Sequence, residues 1–156
     1  MSEPVTLDDL VAGATLTEVA FFELSASRQS VASDVPPDGE EVSEMDSQQT
    51  MFLDRRKDGR GFRVRLKTEV APGNLGTIVA GVEGEWDTPT IDQSDVPEDV
   101  MLDYINGVAI MVLLPFTREA IADITRRVFG NALLLPVMQR GVINFTTLGR
   151  DPTPNH

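Results

Sequence analysis

The chain has 156 residues, which is enough for one domain with its own hydrophobic core. It contains no cysteine, so disulfides, thiolate catalysis and cysteine-based metal sites are excluded. Its formal net charge of −12 disfavours binding to a phosphate backbone and favours solubility or a basic partner.

The first residues of the chain are acidic and lack the apolar segment of a signal peptide. We therefore expect a flexible N-terminal lead-in over residues 1–13 and a cytoplasmic protein. The longest apolar run lies much later, between Val108 and Phe116. Because a membrane-spanning helix needs roughly 20 apolar residues, no membrane insertion is expected.

Two strands and a turn are predicted next. Residues 14–27 are rich in threonine, valine and phenylalanine, which favour strands. Residues 28–49 contain a Pro-Pro-Asp-Gly sequence and predict a long crossover loop. Thr50 to Arg56 predicts a short second strand. Asp58-Gly59 then predicts a tight turn, because this pair readily adopts positive φ angles.

The third and fourth strands follow this turn. Apolar and charged residues alternate from Phe62 to Val70, which predicts a half-buried strand. Leu75 to Trp86 predicts a fourth strand, in which Gly76, Gly81 and Gly84 indicate bulges or close approach of another segment. Such a succession of strands predicts an antiparallel meander.

The second half of the chain changes to helical spacing. Carboxylates follow Pro97 and suit the first turn of a helix. Pro115 is expected to kink or end this helix near Met111. An amphipathic helix from Phe116 to Val128 follows, and Gly130 is expected to end it. Strands followed by helices predict an α+β fold, with the helices packed on one sheet.

Three motifs in this half resemble the SecB family of protein-export chaperones. Leu-Leu-Pro-Phe-Thr-Arg-Glu-Ala-Ile at residues 113–121 is followed by Val-Phe at 128–129 and Leu-Leu-Leu-Pro-Val at 133–137. The resemblance implies one SecB-like domain over residues 14–148, with a four-stranded antiparallel sheet packed by a long kinked helix. It also implies a homo-tetramer, a dimer of dimers with the helices between the sheets. We expect a disordered tail over residues 149–156.

The resemblance implies an ATP-independent holdase for unfolded or precursor polypeptides, with SecA as a candidate partner in protein export and no cofactor. We expect the family's C-terminal helix to be absent or reduced here. This difference suits a first alternative, a dedicated chaperone of one client such as an antitoxin. A second alternative is an oligomeric adaptor that docks a basic protein and is not a chaperone. An enzyme is not expected, because the only histidine is His156, at the terminus.

Candidate client-binding residues combine adaptable methionines with large apolar side chains near the groove that the resemblance implies. They are Val42, Met45, Met51, Phe52, Trp86, Tyr104 and Met138. The alternative for each is a place in the core. The candidate oligomer interface is the apolar helix surface formed by Val108, Met111, Val112, Phe116, Ile121 and Ile124.

No lysine or arginine lies between Lys67 and Arg118, whereas acidic residues are frequent there. The candidate acidic docking face for a basic partner consists of Glu69, Glu83, Glu85 and Asp87. The alternative is an ordinary solvated face. Seven cations precede this stretch, between Arg55 and Lys67. Nucleic-acid binding is not expected of them, and we expect them to pair with acids on neighbouring strands.

Overall fold

The computed structural model describes residues 3–28, 46–72, 76–135 and 145. The expected tail over residues 149–156 therefore lies outside the described residues, as does most of the predicted crossover loop. A short helix, α1 (Leu7–Gly13), precedes four strands: β1 (Thr15–Arg28), β2 (Asp46–Arg55), β3 (Gly61–Ala71) and β4 (Gly76–Asp87). The strands form one antiparallel sheet in the order β1-β4-β3-β2.

The segment expected to be a flexible lead-in instead contains α1. Thr6 and Asp9 form a reciprocal cap: the Asp9 N–H donates to Thr6 Oγ1 at 3.2 Å, and the Thr6 N–H donates to Asp9 Oδ2 at 3.0 Å. This cap satisfies two helix-terminal donors, and its hydrogen bonds hold the pKa of Asp9 below the usual value. Leu10 is fully buried, so α1 is fastened to the domain by packing as well.

β2 is longer than the sequence predicts. It begins at Asp46, within the stretch interpreted as loop, and pairs with β3 along its whole length. The added residues are polar and have no strand-like composition, since Ser47, Gln48 and Gln49 lie among them. Backbone pairing with β3 therefore decides this part of the strand.

The second half of the chain forms one long helix, Glu98–Phe129. Two α-helical parts, α2 (Glu98–Tyr104) and α3 (Ile110–Phe129), are joined by the π-helical stretch Ile105–Ala109. The sequence predicts that the helix kinks or ends near Met111. The helix does not end there, because α3 continues through Pro115.

Packing explains why Pro115 does not end the helix. Proline removes one backbone hydrogen bond. Buried residues nevertheless lie on both sides of it, Leu113 and Leu114 before it and Thr117 and Ile121 after it. The sheet therefore holds both halves of α3 in place.

One face of the sheet carries the helix and the core. α3 lies over β4 and β1, with β3 beside them. Inner-facing residues of β3 and β4 alternate with polar ones, and the buried set is Phe62, Val64, Leu66, Thr68, Val70, Ile78, Ala80, Val82 and Trp86.

By length and composition the helix Glu98–Phe129 is also long and apolar enough to cross a membrane. Core helices meet the same criterion, and this one packs on a sheet.

The glycines of β4 mark close approach, as predicted, whereas the irregular pairing lies in β1. A Cβ on Gly84 would lie 2.7 Å from the Trp86 ring, and one on Gly81 would lie 2.5 Å from the Phe22 ring. The register between β1 and β4 shifts twice, once between Leu16 and Glu18 and once between Phe21 and Glu23.

Candidate functional site

Three of the candidate client-binding residues lie in the core. Trp86 and Tyr104 form an aromatic cluster with Phe62, in which the Phe62 and Trp86 rings stack with centroids 5.4 Å apart and Tyr104 meets both edge-on. Met51, Trp86 and Tyr104 are each at most 3% exposed, and burial raises the pKa of Tyr104 to about 12. The expectation that these three side chains form an accessible contact surface is therefore wrong for this conformation.

The other candidate client residues are placed differently. Phe52 pairs with Arg65 on the opposite face of the sheet and is partly exposed. Val42, Met45 and Met138 lie outside the described residues. A cleft of about 280 Å³ borders the aromatic cluster, and Phe62 and Trp86 line it together with five charged residues, Asp54, Arg55, Arg56, Arg63 and Glu85.

The candidate acidic face is a mixed face of interleaved charges. Arg63 lies between two acids, with its guanidinium 3.1 Å from Asp54 of β2 and 3.2 Å from Glu83 of β4. Arg65 approaches Glu83 at 3.7 Å. These pairs confirm the prediction that the cations of β3 bind acids on neighbouring strands. Glu83 is therefore already neutralised by this chain's own cations.

Two further acids of this set also have cationic partners. Glu69 lies 3.5 Å from Lys67, and Asp87 lies 2.7 Å from Arg56. The fourth acid, Glu85, faces the cleft described above. These four residues therefore do not form a free acidic docking surface in the structure.

Gly81 makes room for a second charge contact on this face. Lys67 of β3 and Glu23 of β1 are both in register with Gly81, which lies between them and has no side chain. The Lys67 ammonium reaches Glu23 at 3.3 Å, and this hydrogen bond raises the pKa of Lys67. Arg65 lies over the Phe22 ring, 5.1 Å from its centroid.

The candidate oligomer interface divides into buried and exposed parts. Ile121 is fully buried in this chain's own core, so it is not available to a second copy. Val108, Met111, Val112 and Ile124 are partly exposed, and Phe116 is 38% exposed. We call Val108, Met111, Val112 and Phe116 the helix apolar row.

A second exposed apolar set lies on β1 and was missed by the sequence analysis. Leu16, Phe21 and Leu24 are 39%, 47% and 44% exposed; we call them the β1 apolar row. They pair with Trp86, Val82 and Ala80, which face the core, so the row is on the helix side of the sheet. The bulges in β1 disrupt simple alternation, and this is why period two did not reveal the row.

Asn106, a lone amide within the apolar helix, is a further residue that the sequence pattern did not single out. Its side chain binds the backbone of Phe145, 39 residues later. A polar side chain in an otherwise apolar helical segment was the one available signal.

Among the described residues, no group of three or more acidic, histidine or cysteine side chains could hold a metal ion.

No protein-family model matches the sequence, and a search of curated proteins also finds no match. Among solved structures, the fold is similar to the SecB-like chaperone Rv1957 of Mycobacterium tuberculosis, determined in complex with a ChAD peptide from the Rv1956 HigA1 antitoxin. The TM-score is 0.65 at 18% identity, over 85% of this chain and 96% of that chain.

A protein of unknown function from Streptococcus agalactiae is less similar, with a TM-score of 0.40 at 9% identity over 80% of this chain and 97% of that one. The four-stranded antiparallel sheet, the long helix packed on it and the superposition on Rv1957 together show that this chain has the SecB-like fold.

Proposed function

We propose that this protein is a chaperone that binds non-native polypeptides without ATP. The observation that carries the proposal is the exposed apolar surface on the helix side of the sheet. Leu16, Phe21 and Leu24 of β1 each keep more than a third of their surface exposed. Exposed apolar surface of this kind is typical of sites where another polypeptide binds.

The structural likeness supports the same function. Rv1957 was determined with a bound peptide, so the SecB-like fold is compatible with holding a segment of another protein. In this chain the net charge of −12 would keep a protein with exposed apolar side chains in solution. We place the protein in the cytoplasm, as its composition suggests.

Two kinds of client fit this proposal. The first is any unfolded or precursor polypeptide, which the protein would hold and then deliver to SecA. The second is one dedicated client, and the antitoxin peptide bound to Rv1957 favours this second kind. The adaptor alternative has less support, because Glu69, Glu83 and Asp87 already pair with this chain's own cations.

We also propose that copies of the chain associate through their helix apolar rows, as a dimer of dimers. Val112 and Phe116 lie on the side of α3 that does not face the sheet. A second copy is a common cover for such a surface. Ile121, which belongs to the core, takes no part in this interface.

The test is the suppression of aggregation. A chemically denatured test protein is diluted into buffer with a stoichiometric amount of this protein and no ATP, and turbidity and molar mass are measured on the same sample. We expect suppression by an oligomer. Persistent aggregation in the presence of an intact oligomer would contradict a general holdase.

A matched pair of substitutions in β1 locates the client surface. Leu24→Ser removes a member of the β1 apolar row and is expected to weaken suppression without changing the oligomer mass. Ser25→Ala, on the opposite face of the same strand, is expected to leave suppression unchanged. Equal activity of the two variants would exclude the β1 apolar row as the client surface.

The dedicated-client version has its own test. If an antitoxin is encoded beside this chain, it is expected to stay soluble only when the two are co-expressed. An antitoxin that is equally soluble alone would leave the general holdase as the better proposal.

A further inference from the structure

Asn106 holds the backbone of Phe145 by both of its polar groups. The Asn106 Nδ2 donates to the Phe145 carbonyl at 2.8 Å, and the Phe145 N–H donates to Asn106 Oδ1 at 2.8 Å. Within the described residues the amide has no other hydrogen-bond partner. One side chain therefore satisfies the donor and the acceptor of one residue, as a neighbouring β-strand does.

The position of Asn106 is unusual for a structural asparagine. It is partly exposed and lies in the π-helical stretch Ile105–Ala109, whose first and last residues are fully buried. Asparagine is unfavourable inside helices, and π-helical turns are rare and occur frequently at functional sites. A polar side chain at this place loses free energy unless both of its polar groups find partners.

Apolar contact accompanies the two hydrogen bonds. The Phe145 side chain packs against the core cluster that contains Phe62, Trp86 and Tyr104. The contact thus has two components, a backbone clamp on one residue and an apolar surface for its side chain. The clamp is independent of sequence because every polypeptide has a backbone, whereas the apolar surface favours large apolar side chains.

We propose that Asn106 and the apolar surface beside it form a binding site for one residue of an extended polypeptide, and that Phe145 fills this site in cis. The occupant that displaces Phe145 is a segment of a non-native client presenting an aromatic or large aliphatic side chain. This inference rests on the proposed chaperone function and names a binding residue for it. Phe145 shows on this chain the chemistry that the site accepts.

Occupation of the site by Phe145 of the same chain lowers the affinity of the site for a client. A tethered segment competes at an effective concentration that is on the order of millimolar. An isolated apolar residue would therefore not displace Phe145, whereas a client that also binds elsewhere on the protein would. The site would in this way reject short or weak ligands.

The first test uses a peptide in trans. The probe is the fluorescently labelled peptide RGVINFTTLGR, which is residues 140–150 of this chain, and binding is measured by anisotropy. Phe145→Ala is expected to bind it about tenfold more tightly than the unsubstituted chain, because the cis competitor has lost its apolar side chain and keeps only its backbone contact. Adding Asn106→Leu to that variant is expected to lose about tenfold again, as two hydrogen bonds disappear.

A matched control probe carries alanine in place of its phenylalanine and is expected not to bind the Phe145→Ala variant. Equal affinity of the unsubstituted chain and Phe145→Ala for the labelled peptide would overturn the proposal. So would an Asn106→Leu substitution without effect. Circular dichroism and the emission of Trp86, the only tryptophan, verify that each variant is folded.

The second test needs no substitution. Hydrogen exchange of the Phe145 amide is measured in the unsubstituted chain, with and without a bound denatured test protein. Displacement predicts faster exchange in the complex, because the bond to Asn106 is broken. Unchanged or slower exchange would assign the contact a purely structural role and overturn the proposal. Failure to suppress aggregation at all would instead count against the chaperone function, so the two failures are distinguishable.

Discussion

At the scale of single residues, two threonines in the core differ in whether their hydroxyl groups form hydrogen bonds. Thr68 and Thr125 are both fully buried. The Thr125 hydroxyl donates to the Ile121 carbonyl at 2.6 Å and accepts from the Leu133 N–H at 2.7 Å. The Thr68 hydroxyl has no hydrogen-bond partner among the described residues.

This difference predicts opposite effects of the same substitution. Thr68→Val keeps the shape and removes an unsatisfied hydroxyl, so it is expected to raise the free energy of unfolding by about 1 kcal/mol. Thr125→Val leaves the Leu133 N–H unpaired and is expected to lower it by about 1–3 kcal/mol. Urea unfolding measures both, and destabilisation by Thr68→Val would contradict the first expectation.

Tyr104 is the only tyrosine, so absorbance near 295 nm reports its ionisation alone. Burial raises its pKa from 10.0 to about 12. The unfolded chain therefore loses this proton first, and the associated stability is complete below pH 10 and is lost between about pH 10 and 12. Tyr104→Phe is expected to weaken the fall in stability over that window. A folded-state titration midpoint near 10 would contradict the burial of Tyr104.

At the scale of elements, the close contact between β4 and the long helix depends on missing side chains. A Cβ on Gly84 would lie 2.7 Å from the Trp86 ring and 3.3 Å from Leu113 of α3. Gly107, in the π-helical stretch, has no such neighbour within 4 Å. Substitution of Gly84 therefore tests this close contact, and substitution of Gly107 is its matched control.

Gly84→Ala is expected to destabilise the protein by about 1–3 kcal/mol, because the tightly packed Trp86 ring must move. Gly107→Ala is expected to stabilise it by about 0.5–1 kcal/mol, since alanine favours a helix. Thermal unfolding followed by Trp86 fluorescence measures both changes. Equal effects of the two substitutions would contradict the assigned contact between strand and helix.

At the scale of the whole molecule, the helix apolar row is the surface on which assembly would depend. Phe116 is 38% exposed in the single chain, and Glu119, less than one turn later, is also exposed. A charge introduced at residue 116 would have to be buried in a helix-to-helix interface, which is costly.

Phe116→Asp is therefore expected to reduce the molar mass measured by light scattering at micromolar concentration, with little change in circular dichroism. Glu119→Gln, on the same side of the helix, is the control and is expected to keep the mass. If the unsubstituted protein is already a monomer at this concentration, the proposed assembly through α3 is wrong.

How much of this molecule is predictable from its sequence depends on the range of the interactions involved. The period-two alternation of β3 and the Asp58-Gly59 turn are local, and both are found in the structure, with Gly59 at φ 74°. The motifs near residue 115 predicted the SecB-like fold correctly. Local pattern was enough for the strand and the turn because neighbouring residues determine them, whereas the fold was implied by the resemblance to the SecB family.

Tertiary structure alone decided which side chains are accessible and which charges are paired. Trp86 and Tyr104 were candidate contacts from their size, yet they are core, because Phe62 packs against both. Glu83 belongs to an acidic stretch in the sequence, but strand register places it beside Arg63. Asn106 and Phe145 are 39 residues apart, and a one-dimensional pattern cannot pair them, because their contact exists only once the chain has folded back on its helix.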